Sequence, residues 1–525
     1  MRVGLAVILC LGVVGSSCGK PALAGRSSIV FLSVDTLSAR HMSLHEYERE
    51  TTPGLESFAE ESLVFERCWA NAPWTTPSYI SQFTGLLPAS FASPGNLYSR
   101  IDRWNLPPEH TVIAEVLLSN GYRTAAFVDN PNAGALYELD RGFEHYDDSP
   151  SRLGLDQLDG GMKLVSSLSL QWLRELDGDA PFFLFLQVLD LHAPYHSGSD
   201  WPGEFPRTSV PDRELPVFAT GDPGLNAIPR YIADARHDDE PTTLASGPLL
   251  NDYDRGIRAM DESITEFLTE LEELGQLDRT WIFITSDHGE SMVEHGSFFN
   301  HLRLHGEELH VPLIIRPPGG TSPRRVATDV QLVDLFPTIL ELAGAPLRPE
   351  LHGRSLLPAI EGRALDQRPV FAFGDFENSR CVVDDGWKLI ETNPSLESAG
   401  LVGLLSSERG QAWIDRRYPD FEGKVFGTHD LPMDFILGLG GAFFTNEAGP
   451  ELFGPFLTLY DLESDPGELV DVTAEHPEQV QRLLGLLDRE EARARELYIE
   501  YDPGREIAPD VLESLESLGY IGAEE

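Results

Sequence analysis

The chain has 525 residues, of which 41% are hydrophobic and 9% aromatic, enough apolar material for a large core and too much for a disordered chain. Its 39 Lys and Arg stand against 85 Asp and Glu, a formal net charge of -46, which repels nucleic acid and anionic lipid and sets a nucleic-acid partner aside. An anionic substrate gains nothing from such a surface, so a site for one must carry its own positive field, most cheaply from a metal ion and a helix N-terminus.

In chain order, Met1-Arg2 precedes an apolar run over 3–14 and then Gly15-Ser16-Ser17-Cys18. A basic start, an apolar stretch too short to span a bilayer and small residues before a break predict an export signal over 1–18. The small residues before Cys18 resemble a bacterial lipoprotein signal, which implies a lipidated cysteine and a periplasmic or membrane-anchored protein. An ordinary cleaved signal is the alternative. No later segment reads as a membrane span, so any membrane contact is expected only through that lipid anchor. Cys68 and Cys381 are the cysteines of the body; they are expected either to pair in an oxidising compartment or to sit buried as free thiols.

Residues 28–34 (SIVFLSV) read as a buried central strand that ends at Asp35. A helix is expected over 51–59, another over 113–119, and a strand over 124–128 after Gly121-Tyr122. Residues 182–188 read as a buried strand ending near Asp190. Residues 252–274 carry apolar residues at helical spacing and stop at Gly275. Strands over 281–286, ending at Asp287, and over 311–315 follow. This alternation predicts an α/β sandwich around a mostly parallel sheet, over a large domain set at 27–365. In such sheets ligands bind beyond the carboxyl ends of the strands, where Asp35, Asp190 and Asp287 stand. After about residue 365 the segments shorten and turn signals such as Asp465-Pro466-Gly467-Glu468 appear, ahead of a helix over 477–495. Residues 366–525 are therefore read as a smaller α+β subdomain and tail packed on the main sheet.

Two segments carry chemistry. Asp287-His288-Gly289-Glu290 sets a carboxylate beside an imidazole at a strand end, which suits a divalent metal, or else is a polar loop. Asp35 at a second strand end favours the metal, because ligands must converge from separate segments. In Ala72-Pro73-Trp74-Thr75-Thr76-Pro77-Ser78-Tyr79, Pro77 suits the first turn of a helix that ends near Gly85, with Thr75 or Thr76 near the N-cap. A threonine hydroxyl there, activated by a metal, can attack phosphorus or sulfur; the plain alternative is a capping threonine. The scattered histidines His41, His45, His305 and His310 read as surface or supporting residues. Asp190, His192, His196 and His301 are a candidate second metal set.

Asp35, the Thr75 segment, Asp287-His288-Gly289, Glu294-His295-Gly296 and Val311-Pro312-Leu313, in this order, resemble the sulfatase family. Further matches are Leu191-His192-Ala193-Pro194-Tyr195, Leu351-His352-Gly353-Arg354-Ser355, Trp387-Lys388-Leu389-Ile390 and Leu459-Tyr460-Asp461-Leu462. The resemblance implies an alkaline-phosphatase-like three-layer α/β/α fold with a small C-terminal sheet. It implies metal binding by Asp35, Asp287 and His288, with Thr75 at the position of the nucleophile and so beside the metal. His192 falls at a histidine that contacts the charged group and leaving oxygen, and His301 where many sulfatases carry an active-site lysine. Three departures stand out: threonine replaces the Cys or Ser that sulfatases convert to formylglycine, Tyr79 replaces the arginine of that motif, and Thr36 replaces a second metal-binding aspartate. The family's Lys-x-His element after Gly121-Tyr122 is not evident.

The resulting expectation is a metal-dependent hydrolase of sulfate or phosphate esters, acting on a sulfated or phosphorylated sugar or lipid with Thr75 as nucleophile. Calcium fits the sulfatase lineage, zinc or manganese the threonine and histidine set. The competing expectations are a phosphodiesterase or phosphoethanolamine-type transferase, and an inactive relative that binds anionic glycans.

Overall fold

The computed structural model describes residues 26–92, 106–152, 161–195, 201–206, 214–216, 243–292, 294–296, 301, 303–374, 379–392, 456–501, 509 and 511. The export signal and His196 lie outside these residues. The strands in chain order are β1 (Ser28–Val34), β2 (Leu63–Trp69), β3 (Arg123–Val128), β4 (His145–Asp147), β5 (Phe182–Val188), β6 (Glu214–Pro216), β7 (Thr243–Ala245), β8 (Thr280–Ser286), β9 (His310–Arg316), β10 (Arg324–Val326) and β11 (Val330–Gln331). A second group follows: β12 (Val370–Phe373), β13 (Arg380–Asp384), β14 (Trp387–Thr392) and β15 (Phe456–Asp461). The main sheet has nine strands in the order β10-β2-β9-β8-β1-β5-β3-β4, with β11 also on β2. All its pairings are parallel except those of β9 with β2 and β8.

β1 shows why the protein is three layers deep. Its side chains alternate between faces, and both faces are covered, so a continuous apolar run is what the position requires. Ile29 and Phe31 join one core with Tyr79, Phe83, Phe183 and Phe185. That core holds α2 (Thr75–Thr84), α3 (Ile113–Ser119) and α6 (Leu335–Leu342) against the sheet. Val30, Leu32 and Val34 join the opposite core, under α1 (Pro53–Ala59), α4 (Gly161–Glu175) and α5 (Ser246–Glu273). This is the alkaline-phosphatase-like arrangement of the sulfatase resemblance.

The smaller sheet is antiparallel, in the order β12-β13-β14-β15. Cys381, Val383, Ile390 and Tyr460 face the first core, while Val382, Leu389 and Leu459 face α7 (Pro477–Arg495) through Val480, Leu483 and Leu487. It therefore buries one face against the catalytic layer and the other under its own helix. Cys68 on β2 and Cys381 on β13 are both buried and free, and burial pushes both thiols up, so the disulfide alternative falls away.

Two helices start elsewhere than expected. α1 begins at Pro53 rather than 51. α5 starts at Ser246 rather than 252, because Leu249 and Leu250 already pack into the core. α2 begins where the sequence reading put it, with Trp74 as the N-cap, Thr75 as the first residue beside it and Gly85 at the end.

Candidate active site

β8, β1 and β5 are neighbours in register, with Val34 opposite both Ser286 and Val188. The residues just past β1 and β8 are Asp35 and Asp287, so parallel pairing alone sets two carboxylates side by side at one edge of the sheet. His288 follows Asp287. Asp35, Asp287 and His288 are fully buried, and their candidate ligand atoms all lie within 4.8 Å of one another. His288 Nε2 is 3.4 Å from Asp287 Oδ2 and 3.9 Å from Asp35 Oδ1. Those separations suit atoms that share a cation, since donors at about 2.0–2.2 Å around one ion stand roughly 3.3 Å apart. Asp35 Oδ1 and Asp287 Oδ2 are buried and accept no hydrogen bond. Two carboxylate oxygens turned inward without donors call for a positive charge, and the neutral imidazole beside them completes a metal-type donor set.

The surroundings point the same way. Burial, with Asp287 alongside, holds the Asp35 carboxyl well above the usual range, and burial pushes Asp287 up to about 7. Burial, with His301 next to it, pushes His288 down to about 4. His288 Nδ1 lies 2.8 Å from the Gly289 carbonyl oxygen, so Nδ1 carries the proton and Nε2 offers its lone pair inward. The remaining oxygen of Asp35 accepts from Asn130 Nδ2 at 2.7 Å and Gln187 Nε2 at 3.1 Å.

Thr75 meets this group from α2. Its Oγ1 is 3.4 Å from His288 Nε2 and 3.5 Å from Asn130 Nδ2. Thr76 instead donates to the Asn132 carbonyl at 2.9 Å, so the structure separates the two threonines and leaves Thr75 with the ligand trio. Asn130 is a site residue that the sequence analysis passed over. It stands two residues beyond β3, and the strand-end rule that selected Asp35 and Asp287 applies to it equally. Its amide is oriented by Asn132 N, which donates to Asn130 Oδ1 at 2.9 Å.

His192 and His301 also converge here. The His301 ring centroid lies 4.5 Å from that of His288 and 5.5 Å from that of His192. His301 Nδ1 is 3.2 Å from Glu290 Oε1, a second residue the sequence reading left without a role. Burial pushes Glu290 up to about 7 and, with His301 nearby, His192 down to about 4. His192 Nδ1 is 2.9 Å from the Ala193 carbonyl, which leaves Nε2 as the unprotonated nitrogen of the neutral ring.

Of the candidate second metal set, Asp190 sits at the start of α4. Its carboxylate accepts from the Met162 backbone at 2.8 Å, and it belongs to neither three-ligand group among the described residues. The departures at Thr36 and Tyr79 have structural counterparts. Thr36 contributes backbone rather than charge, with its N–H 3.4 Å from Asp287 Oδ1. Tyr79 is buried among Phe83 and Phe185, with its hydroxyl donating to Ser33 at 3.0 Å, so it belongs to the core.

Comparison with known proteins bears on this geometry. The family model described as Sulfatase matches residues 27–345, and one described as the C-terminal part of N-sulphoglucosamine sulphohydrolase matches 293–404. Arylsulfatase K of Xenopus laevis is 25% identical over 492 residues, covering 87% of this chain and 81% of the relative. Arylsulfatase K of Homo sapiens is 23% identical, covering 91% and 84%. A protein solved in complex with its substrate D-glucosamine-2-N,6-O-disulfate superposes with a TM-score of 0.61 at 19% identity, over 90% of this chain and 98% of the other. The phosphonate monoester hydrolase of Agrobacterium radiobacter superposes with a TM-score of 0.55 at 18% identity, over 90% and 96%. At these identities the two superpositions establish the fold.

Proposed function

This chain belongs to the sulfatase family of ester hydrolases, and from that premise we propose that it is a metal-dependent hydrolase of anionic sulfate or phosphorus esters with Thr75 as its nucleophile. The observation that carries the reading is the Thr75 hydroxyl 3.4 Å from His288 Nε2, at the edge of a buried trio whose two carboxylates each turn an undonated oxygen inward. A divalent cation held by Asp35, Asp287 and His288 supplies charge neutralisation and a lowered hydroxyl pKa beside it. A donor set with a neutral imidazole favours zinc or manganese over calcium, which takes oxygen ligands.

The chain's own groups divide the remaining work. Thr75 Oγ, its hydroxyl proton already lost to solvent at the lowered pKa, attacks phosphorus or sulfur in line, and Asn130 donates to that oxygen and holds its direction. The bond to the leaving oxygen breaks as that oxygen takes a proton from His301, whose Nδ1 is backed by Glu290. Water then attacks the ester on Thr75 and gives a proton to His192 Nε2, Thr75 leaves as the alkoxide that began the cycle, and the proton passes from His192 back to the neighbouring His301.

An unmodified threonine favours phosphorus. A phosphothreonine ester can be opened by water, whereas a sulfated threonine lacks the hemiacetal exit that formylglycine provides. The likeness to a phosphonate monoester hydrolase agrees with this, and the likeness to a protein that binds a disulfated glucosamine favours an anionic sugar as the rest of the substrate. Residues 1–18 support export of the enzyme to the cell envelope.

The test is a parallel assay of metal-replete protein on nitrophenyl sulfate, a nitrophenyl phosphodiester and a nitrophenyl phosphonate, with Thr75→Ala as control. Threonine-dependent turnover of a phosphorus ester is expected. Full activity in Thr75→Ala would remove the nucleophile assignment, and preferred turnover of the sulfate would reverse the choice of phosphorus.

A further inference from the structure

Glu468 lies far from the catalytic trio in sequence, in the Asp465-Pro466-Gly467-Glu468 turn beyond β15. It is buried, and its backbone sits at φ 58, a left-handed conformation that a glutamate adopts only where contacts hold it. Every polar group of this residue that faces the protein interior is used. Oε1 accepts from Arg40 Nη2 at 3.1 Å, Oε2 from Lys388 Nζ at 2.9 Å, and the carbonyl oxygen from His295 Nε2 at 2.8 Å. Arg40 belongs to the loop that leaves Asp35, and His295 to the loop that leaves His288.

Those two loops are tied a second time at Glu307. Arg40 Nη1 donates to Glu307 Oε2 at 3.2 Å, and His295 Nδ1 lies 2.6 Å from Glu307 Oε1. The backbone of the same turn presses on Gly289. Gly289 N donates to the Glu308 carbonyl at 2.7 Å, and a Cβ on Gly289 would collide with the Glu307 carbonyl oxygen and approach Ser38 Cβ at 3.1 Å. Gly289 is the residue whose carbonyl oxygen accepts from His288 Nδ1 at 2.8 Å and so turns Nε2 toward Asp35 and Asp287. The contacts are unbroken from the C-terminal sheet to a metal-type ligand.

We infer that Glu468 is a positioning residue for the catalytic centre. From the C-terminal subdomain it clamps the loops carrying Arg40 and His295 onto Glu307, and the Glu307–Glu308 backbone in turn fixes Gly289 and the orientation of His288. The C-terminal sheet is thus part of the machinery that shapes the ion site, not only a cover for the core. The inference rests on the proposed role of Asp35, Asp287 and His288 in holding a divalent ion.

The experiment uses the full chain and zinc, with affinity read by competition against a chromophoric chelator and turnover read separately. Glu468→Gln keeps the shape and removes the charge that Arg40 and Lys388 share. Its zinc Kd is expected to rise about 10- to 100-fold, the range typical when a group that orients a ligand is lost, while KM stays within about twofold and kcat falls. Arg380→Gln is the control, because Arg380 pairs with Glu391, Asp488 and Glu491 inside the same subdomain and touches neither loop. Should Glu468→Gln not fold, the partly exposed Arg40→Gln breaks the same clamp and decides the question in its place. A zinc Kd unchanged in a folded clamp variant, or the same rise in Arg380→Gln, overturns the inference. A wild-type chain that binds no zinc, manganese or calcium overturns instead the reading on which it rests.

Discussion

Two buried clusters in this protein share almost the same residue types and behave as opposites. Asp35, Asp287 and His288 form one; His295, His305 and Glu307 form the other. In the first, two carboxylate oxygens lack donors and the nearest imidazole nitrogen stands 3.4 and 3.9 Å away. In the second, Glu307 is bonded by His295 at 2.6 Å and by Arg40 at 3.2 Å, and both nitrogens of His295 are engaged. A separation of 2.6 Å is a hydrogen bond, too short for two ligands of one ion. The His295 and His305 rings also stack at 3.9 Å and 10°, where ligands of one ion would splay around it. Arg40 next to Glu307 supplies the charge that a cation would bring. What separates an ion site from an ion-pair knot is therefore the supply of donors and positive charge around the acids, not the identity of the acids.

The comparison can be broken or sharpened by experiment, most strongly at the first cluster. Thr75→Ala should lower kcat by about 10³-fold or more with the fold intact, because it removes the atom proposed to attack; burst kinetics and steady-state turnover measure this. Thr75→Ser should keep measurable turnover.

Next in size is Asp287→Asn. Zinc binding, expected at one equivalent per chain, should weaken at least about 100-fold by chelator competition. The same substitution should make the metal-free protein more stable. Asp287 ionises near its ordinary pKa when unfolded but only at about 7 when folded, so between those values the native state binds the extra proton and stability falls as pH rises. At pH 8 the metal-free variant should melt about 2 °C or more above the metal-free wild type in a calorimetric scan. His305→Gln in the second cluster should leave the ion stoichiometry at one. Two equivalents in the wild type, with one lost in His305→Gln, would collapse the distinction between the clusters.

His301→Gln tests the proton donor. A loss in kcat of about 10²-fold is expected on an alkyl ester and much less on a nitrophenyl ester, whose leaving group needs no proton. Equal losses on both would remove His301 from that role. The smallest effect expected is the pH dependence of ion affinity in the wild type. Because burial pushes Asp287 up to about 7 and holds Asp35 well above its ordinary value in the metal-free protein, zinc Kd should fall as pH rises through 7, as read by titration across pH 6–9.

His295 and Glu307 also show the linkage of the second cluster. Glu307 and the Glu468 carbonyl beside His295 raise its pKa against burial, so its contribution to stability is complete below the ordinary histidine value and is lost as pH rises through the raised one. The two clusters should thus respond to alkaline pH in opposite ways: the first is expected to gain affinity for an ion, and the second to loosen.

Much of this was legible from the chain alone. Apolar runs of seven residues ending in aspartate are hard to place anywhere but in the middle of a covered parallel sheet, and β1 and β5 fall at the residues expected. Strand ends are ligand positions by topology, so Asp35, Asp287 and His288 could be named before any fold was built. Asn130 was within reach of the same rule. Glu290 stood in the Asp287-His288-Gly289-Glu290 segment, but its contact with His301 did not show there, and Gln187 and Glu468 had no local signal at all: their roles exist only through what another segment brings to them. Nor could spacing distinguish Thr75 from Thr76, or a free Asp190 from one bonded to the start of α4. Periodicity and strand-end position are properties of contiguous residues, and they determined the layers, the central strands and the acids at their tips. Which buried acids lack donors, which threonine faces them, and how the C-terminal turn reaches Gly289 depend on contacts across hundreds of residues, and only the packed tertiary structure decided them.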